Sequence, residues 1–516
     1  MTFDLTRRQC LLALGSAAGM AAMNSSGRIA AGQDNPAPTA NGGPAADDVR
    51  DIGSRVEMFV DRYLVAETRG VTQRLHPPQR REVVLTADRP WEGAGSAYYT
   101  LLRDGDALRM YYRASPAWLA GSPYPVAYCL AESRDGVTFE RPSLGLYEFE
   151  GATDNNIIYR SPEAGDSFSP FLDENPRALA EERYKALVSP GSGQMYAAAS
   201  ADGLRWKLMR PEPISTDGSF DSLNTVRWDA ELGAYRMFSR YLDVPGAADN
   251  AARNRAVWET GTGGDWVRAL QVGTSEDFLY WSPMRPFRYA EDAPREHFYT
   301  NAIVRCPGAE HILLSFPKRF IEARSTDPNH PFPGVSDAVF MTSRDGENWD
   351  RTFLQAWLRP GLDERNWTQR SNMPAWGIVE TSPEEFSLYA SEHYEWPDNR
   401  LRRLTVRRHG FASLGAGVPG GEFVTHPLRF SGSRLTLNCS TSAAGAIRVQ
   451  LETPTGEPLP GYGLADCGEI FGDDLARPVT WQGSNGDLRA LAGRALRLRI
   501  SLTDADLYAL QFSDAG

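Results

Sequence analysis

Ser133-Arg134-Asp135-Gly136, followed by Phe139, decides the fold because the chain repeats it. Ser200-Ala201-Asp202-Gly203 is followed by Trp206, Ser275-Glu276-Asp277-Phe278 by Trp281, and Ser343-Arg344-Asp345-Gly346 by Trp349. A weaker fifth copy reads Arg408-His409-Gly410-Phe411. The third positions, at 135, 202, 277, 345 and 409, lie 64 to 75 residues apart. Near-equal steps of this size predict radial repetition of a four-stranded unit, a β-propeller of five blades. The phrase itself reads as a hairpin turn between outer strands, with its aromatic packed between blades. The expected fold class is all-β, a five-bladed β-propeller followed by a C-terminal β-sandwich.

Working outward, each blade shows a first strand, a turn and a short aromatic second strand, such as Leu108-Arg109-Met110-Tyr111-Tyr112 or Phe386-Ser387-Leu388-Tyr389. Gly415 to Gly421 forms a Gly-rich joint, beyond which Arg434–Asn438 and Ala495–Ile500 alternate as strands do. The expected division is a signal peptide at 1–31, a disordered linker at 32–54, the propeller at 55–415 and the sandwich at 416–516. No helix is expected after the signal. Arg7-Arg8 before an apolar run through Met23 resembles a bacterial twin-arginine export signal, so a periplasmic or extracellular location is expected.

A chain of 516 residues, 41% hydrophobic, is long enough for two cores. Its net charge of −12 argues against nucleic-acid and membrane-surface partners. No later stretch is apolar for long enough to span a bilayer. A monomer acting on a carbohydrate is expected. No cysteine pair has CxxC spacing, so no metal site is assigned; Cys439 and Cys467 could be bonded or remain thiols.

Strand order sorts the acidic residues. Those just before a first strand share one rim of the propeller, while the turns after it lie at the other. The favoured rim carries Glu92 on blade 1, Asp166 on blade 2, Asp221 on blade 3 and Glu296 on blade 4. Glu296 is expected as general acid, Asp221 as base or nucleophile, and Glu92 and Asp166 as orienting carboxylates. Asp61 is an alternative first-blade acid. Asn224, His297, Tyr299 and Asn301 would contact hydroxyls, and Trp376 a sugar face. Arg113, Arg240 and Arg319, at the ends of second strands, would pair with the acids or hold a uronate or sulfate.

A propeller with rim carboxylates followed by a sandwich resembles glycoside hydrolase families 32, 43 and 68, over roughly residues 55 to 516. The resemblance implies an exported glycoside hydrolase with no cofactor, in which a structural Ca²⁺ could occupy the central channel. The family 32 signature Asn-Asp-Pro-Asn-Gly is absent, so the carboxylates are assigned by blade position. The repeated phrase also resembles the Asp box of sialidases, with one residue fewer between Asp and Gly. Two other readings fit the residues: a non-catalytic carbohydrate-binding propeller, and a polysaccharide lyase using Arg319, His297 and Tyr299 on a uronate glycan.

Overall fold

The computed structural model describes residues 49–115, 126–160, 165, 167–191, 193–261, 264–328, 330 and 332–514. The expected signal peptide and most of the expected linker lie outside the described residues. The repeated phrase does divide the chain into five radial sheets. Blade 1 consists of Ala97–Asp104, Ala107–Ala114, Ala127–Ser133 and Ile157–Tyr159. Blade 2 is Ser167–Leu172, Tyr184–Ser189, Tyr196–Ser200 and Lys207–Leu208, and blade 3 is Thr225–Asp229, Ala234–Asp243, Val267–Ser275 and Arg285–Pro286. Blade 4 pairs Val304–Cys306, Ala309–Ser315 and Met341–Ser343, with the hairpin Lys318–Ile321/Val335–Ala338 as an extension. Blade 5 combines Val379–Glu380, Glu385–Glu392 and Arg400–Arg407 with Gln79–Thr86, a strand from the other end of the chain.

The repeated phrase is a turn in every copy. In blade 2 the Ser200 hydroxyl accepts the Gly203 amide at 2.9 Å, and Asp202 Oδ1 accepts the amides of Leu204 and Arg205 at 2.8 and 2.9 Å. Gly203 needs its left-handed φ of 74° to close the turn, and in the third copy Phe278 takes that conformation at 72°. The aromatics that follow fasten neighbouring blades. Phe139 meets Tyr389 of blade 5 at 6.0 Å between ring centroids, Trp206 meets Tyr111 of blade 1 at 6.4 Å, and Trp349 meets Phe238 of blade 3 at 6.1 Å. In blade 3 it is Phe278 that reaches back, 5.6 Å from Phe171 of blade 2.

The C-terminal part is one hydrogen-bonded sheet of eight strands organised by two long strands, Arg434–Glu452 and Arg497–Ser513. Their pairing slips between Thr441 and Ala446. Apolar residues from either side of that slip, including Leu435, Leu437, Ile447 and Val449, share one core.

Three sequence expectations need correction. The propeller does not begin at residue 55: Val56–Met58, Val65–Arg69 and Thr72–Leu75 pair with the C-terminal strands. The linker is not wholly irregular, since Arg50–Gly53 pairs in parallel with Leu428–Phe430. One α-helix, Asn250–Thr260, follows the second strand of blade 3, with Asp249 accepting the Ala252 amide at its N-terminus. Its apolar residues are spread around the helix and form no stripe, so apolar periodicity gives no sign of it. Cys129, Cys306, Cys439 and Cys467 are free, buried thiols. Among the described residues no helix is long and apolar enough to cross a membrane.

Candidate functional site

The first strands of the blades begin at one end of the propeller, and there the backbone is held in conformations that L-residues rarely adopt. Tyr98, Arg370, Asn372, His393 and Glu395 have φ of 58°, 58°, 58°, 57° and 64°. Such strain costs on the order of 1–3 kcal/mol per residue and gathers at functional sites. Tyr98 enters from blade 1; the other four flank the first two strands of blade 5.

Tyr299 of blade 4 stands at the centre. Arg370 donates to its hydroxyl at 3.0 Å and to the Tyr394 hydroxyl at 2.5 Å. Arg113 donates to Tyr394 at 3.4 Å and lies over the Tyr98 ring, 4.7 Å from its centroid. Arg240, within the second strand of blade 3, is ion-paired with Asp221 and donates to the Ser219 hydroxyl at 3.0 Å. Burial alone would raise the Tyr299 phenol. Arg370, Arg240 and Arg268 outweigh both that and the Asp221 carboxylate, bringing it down to about 8. Glu395 moves the opposite way: burial pushes its carboxyl up to about 7 against Arg370, Tyr394 and Arg113.

At the mouth, Arg268 donates to His297 Nδ1 at 3.2 Å and approaches Glu322 at 3.5 Å. Desolvation, then Arg268, Arg240 and Arg295, lower His297 to about 4, so its ring is neutral near pH 7. The Asp221 side chain is 28% exposed and that of Glu322 20%, so the cluster meets solvent on this side.

Of the residues expected from sequence, Asp221, Arg240, Tyr299, Arg113 and His297 come together here. Glu296 does not join them directly. Its two oxygens are taken by Arg319 at 3.0 Å and by Arg351, which leaves neither free to protonate a leaving group. Arg319 also holds Asp337 at 2.7 Å. Glu92 is wholly buried behind the rim, accepting from Arg141, the Tyr112 hydroxyl at 2.5 Å and the Arg89 amide at 3.1 Å. Asn224 donates to the Phe220 and Ser222 carbonyls, both at 2.9 Å, and Asn301 accepts from Thr225 at 2.8 Å; both brace the loops that enter the blades. Trp376 is buried and donates to the Ile303 carbonyl at 2.8 Å, so it packs blades together instead of offering a stacking face. Asp61 bonds Arg344 of the fourth turn phrase at 2.8 Å, at the far end of the propeller, and so cannot replace Glu92 in this site. Asp166 lies outside the described residues.

Sequence reading gave no role to Tyr98, Arg268, Lys318, Arg370, Tyr394 and Glu395. Lys318 and Arg319 are neighbours, and strand alternation sends them to opposite sides. Lys318 and Phe320 are buried while Arg319 reaches Glu296. Parity with Phe320 was the available signal.

A central Ca²⁺ does not fit this donor set. The centre is lined by guanidinium groups and the buried Lys318 amine, and among the described residues no cluster of His, Cys, Asp and Glu could hold a metal ion.

No protein-family model matches the sequence, and no curated protein matches it. Solved structures similar to it include a glycoside hydrolase (TM-score 0.45, 13% identity, covering 64% of this chain and 92% of that one). Another is an N-acetylgalactosamine deacetylase from F. plautii in complex with blood group B trisaccharide (TM-score 0.41, 13% identity, 66% and 97%). A third is a family 43 arabinoxylan arabinofuranohydrolase from Bacillus subtilis (TM-score 0.35, 11% identity, 83% and 97%). Glycoside hydrolases of propeller fold are therefore among the structures this chain resembles.

Proposed function

We propose that this protein hydrolyses glycosidic bonds at the entry end of its propeller, with Glu395 as proton donor and Asp221 as the opposing carboxylate. The supporting observation is a pair of acids in contrasting surroundings on either side of the Tyr299–Arg370–Tyr394 centre. Glu395, buried and brought up to about 7, keeps a proton to give near neutrality. Asp221, paired with Arg240 and partly exposed, offers negative charge to an oxocarbenium-like transition state. A carboxyl that keeps its proton, set opposite a carboxylate held by an arginine, supplies the two groups that bond cleavage at an anomeric carbon uses. In that step the proton of Glu395 passes to the departing oxygen as the glycosidic bond breaks. Water adds to the anomeric carbon, and its proton ends on a carboxylate. Arg7-Arg8 fits export of this enzyme to a compartment where polymeric glycans are met.

A lyase is the second reading, favoured by Tyr299, whose phenol at about 8 could take a proton beside a uronate carboxylate. One experiment separates the two. Purified protein is incubated with neutral, uronate and sulfated oligosaccharides, and products are weighed by mass spectrometry. Hydrolysis adds one water per cut, whereas elimination leaves an unsaturated product absorbing in the near ultraviolet. Asp221→Asn and Glu395→Gln are each expected to lower kcat about 10²–10⁴-fold without loss of fold. Full activity in both variants would sink the assignment.

A further inference from the structure

We infer that His393, clamped between Asp363 and Asp398, is a positioning residue of the proposed reaction: it fastens the turn that sets Tyr394 and Glu395 at the propeller centre. The inference rests on the hydrolase reading above and adds a residue that touches no substrate.

His393 is 3% exposed, and each of its ring nitrogens meets a carboxylate. Nδ1 lies 2.8 Å from Asp398 and Nε2 2.7 Å from Asp363. Burial alone would raise both carboxyls. Hydrogen bonds from His393 outweigh it and hold them below the usual carboxylate range. Both partners are therefore acceptors, and the ring donates from both nitrogens. Arg400 approaches Asp363 at 3.3 Å and Arg365 meets Asp398 at 2.9 Å, so charge alternates around the ring. Two donors on opposite sides of a flat ring fix its orientation as a single bond does not.

The clamp joins two segments that both carry site residues. Asp363 opens the 3₁₀ turn Glu364–Asn366 by accepting the Arg365 amide at 3.2 Å, and that segment runs on to Arg370. Asp398 lies in the turn that carries Tyr394 and Glu395. Asn366 Oδ1 accepts the His393 amide at 3.4 Å, and Ser371 Oγ accepts the Tyr394 amide at 3.2 Å. Across the turn, the Glu395 amide donates to the Ala94 carbonyl at 3.0 Å and Asn399 to the Ser96 carbonyl at 2.8 Å. His393 and Glu395 both hold left-handed backbone, with φ of 57° and 64°, which persists only where the surroundings impose it. An apolar side chain at 393 would fill the space without buried hydrogen bonds to satisfy, and such replacements are often neutral or stabilising. What it would lack is direction. The best-attested use of a buried ionic group is to fix register, and here the register is that of the acid two residues on.

The test is a double-mutant cycle on the intact protein. Glu395, brought up to about 7 by burial, loses stability relative to a glutamine as pH rises from about 4.5 to about 8. Glu395→Gln therefore gains stability over its parent across that range, and denaturant titrations of the two read the gain. In His393→Gln the donors sit on one nitrogen and cannot span both carboxylates. The turn then loosens, Glu395 reaches water, and the gain is expected to shrink to less than about half. A merely structural histidine would lower the stability of both members of the pair equally and leave the gain unaltered. Asp398→Ala, at a side chain 38% exposed, is the second variant, with the same expected shrinkage. On a glycan the parent cleaves, kcat is expected to fall about 10–100-fold in either variant with KM little changed. An undiminished gain in both backgrounds, or an unchanged kcat, overturns the clamp. A parent that shows the gain but cleaves no glycan keeps the clamp and removes the hydrolase. A parent that cleaves glycans while both variants leave the gain intact does the reverse. No gain in the parent overturns both.

Discussion

At the scale of single residues, Glu395 ties the chemistry to stability. Its carboxyl titrates at about 7 in the fold against 4.5 when unperturbed, burial being the dominant cause. Between those values the folded chain binds the proton that the unfolded chain has released. The stability associated with this group is therefore fully present below pH 4.5 and is lost as pH rises toward and through 7. The difference amounts to about 3 kcal/mol. Gln at this position cannot ionise and keeps the shape of the neutral acid. Glu395→Gln is accordingly expected to gain stability over the parent by roughly 2–3 kcal/mol between pH 4.5 and pH 8, even as it loses activity. Denaturant titrations at both pH values measure it, and parallel pH dependence in the two proteins would refute the assignment. Glu92 is the instructive contrast. From sequence it was the equal of the other rim acids, yet its oxygens are filled by Arg141, Tyr112 and the Arg89 amide. What separates the two acids is a partner 49 residues away in one case and burial without such a partner in the other, and neither leaves a mark in the local sequence.

At the scale of elements, the turn phrase is legible because its chemistry is local. A serine and an aspartate cap the backbone within four residues, so the hydrogen bonds follow from spacing alone. Asp202→Ala removes the acceptor for the amides of Leu204 and Arg205. The expected loss is about 2 kcal/mol, read as a lower denaturant midpoint with an unchanged slope. A loss below about 0.5 kcal/mol, the range of an ordinary surface substitution, would show that the turn is held by the aromatic anchors instead. Side-chain parity on the strands was harder to read. The hairpin Lys318–Ile321/Val335–Ala338 starts right after Phe316-Pro317, and without a fixed starting register Lys318 and Arg319 are equivalent candidates. The structure gives Arg319 to the Glu296–Asp337 network and Lys318 to the centre. The rim position of Asp221 and Tyr299 was legible from blade order. The blade 5 contribution of Arg370, Tyr394 and Glu395 was not, because it depends on positive-φ turns formed by residues that carry no glycine signal.

At the scale of the whole molecule, the two ends of the chain are stitched together twice. Gln79–Thr86 supplies the outer strand of blade 5, closing the ring by pairing with Arg400–Arg407. Closure of this kind removes the exposed edge that an open propeller would present. Immediately before it, the three strands between Val56 and Leu75 complete the C-terminal sheet, pairing with Ala412–Ala416, Gly421–Thr425 and Arg497–Ser513. These pairings join residues hundreds of positions apart, and the strands are short and half polar, so no local pattern announces them. Their contribution to the core is large all the same. Ile52, Phe59, Leu64, Val65 and Val71 are buried among the apolar side chains of the C-terminal sheet. At about 2 kcal/mol for each buried side chain they contribute roughly 10 kcal/mol, comparable to the whole stability of an ordinary domain, about 5–15 kcal/mol. A chain beginning at Gln79 keeps every propeller strand but is expected to lose the C-terminal sheet and aggregate, whereas one beginning at Val49 is expected to melt in a single transition. Calorimetry and light scattering on the two chains decide the matter. If the chain from Gln79 stayed soluble and melted within a few degrees of the longer one, the sheet would not depend on its N-terminal strands, and the ring closure alone would carry the union of the two ends.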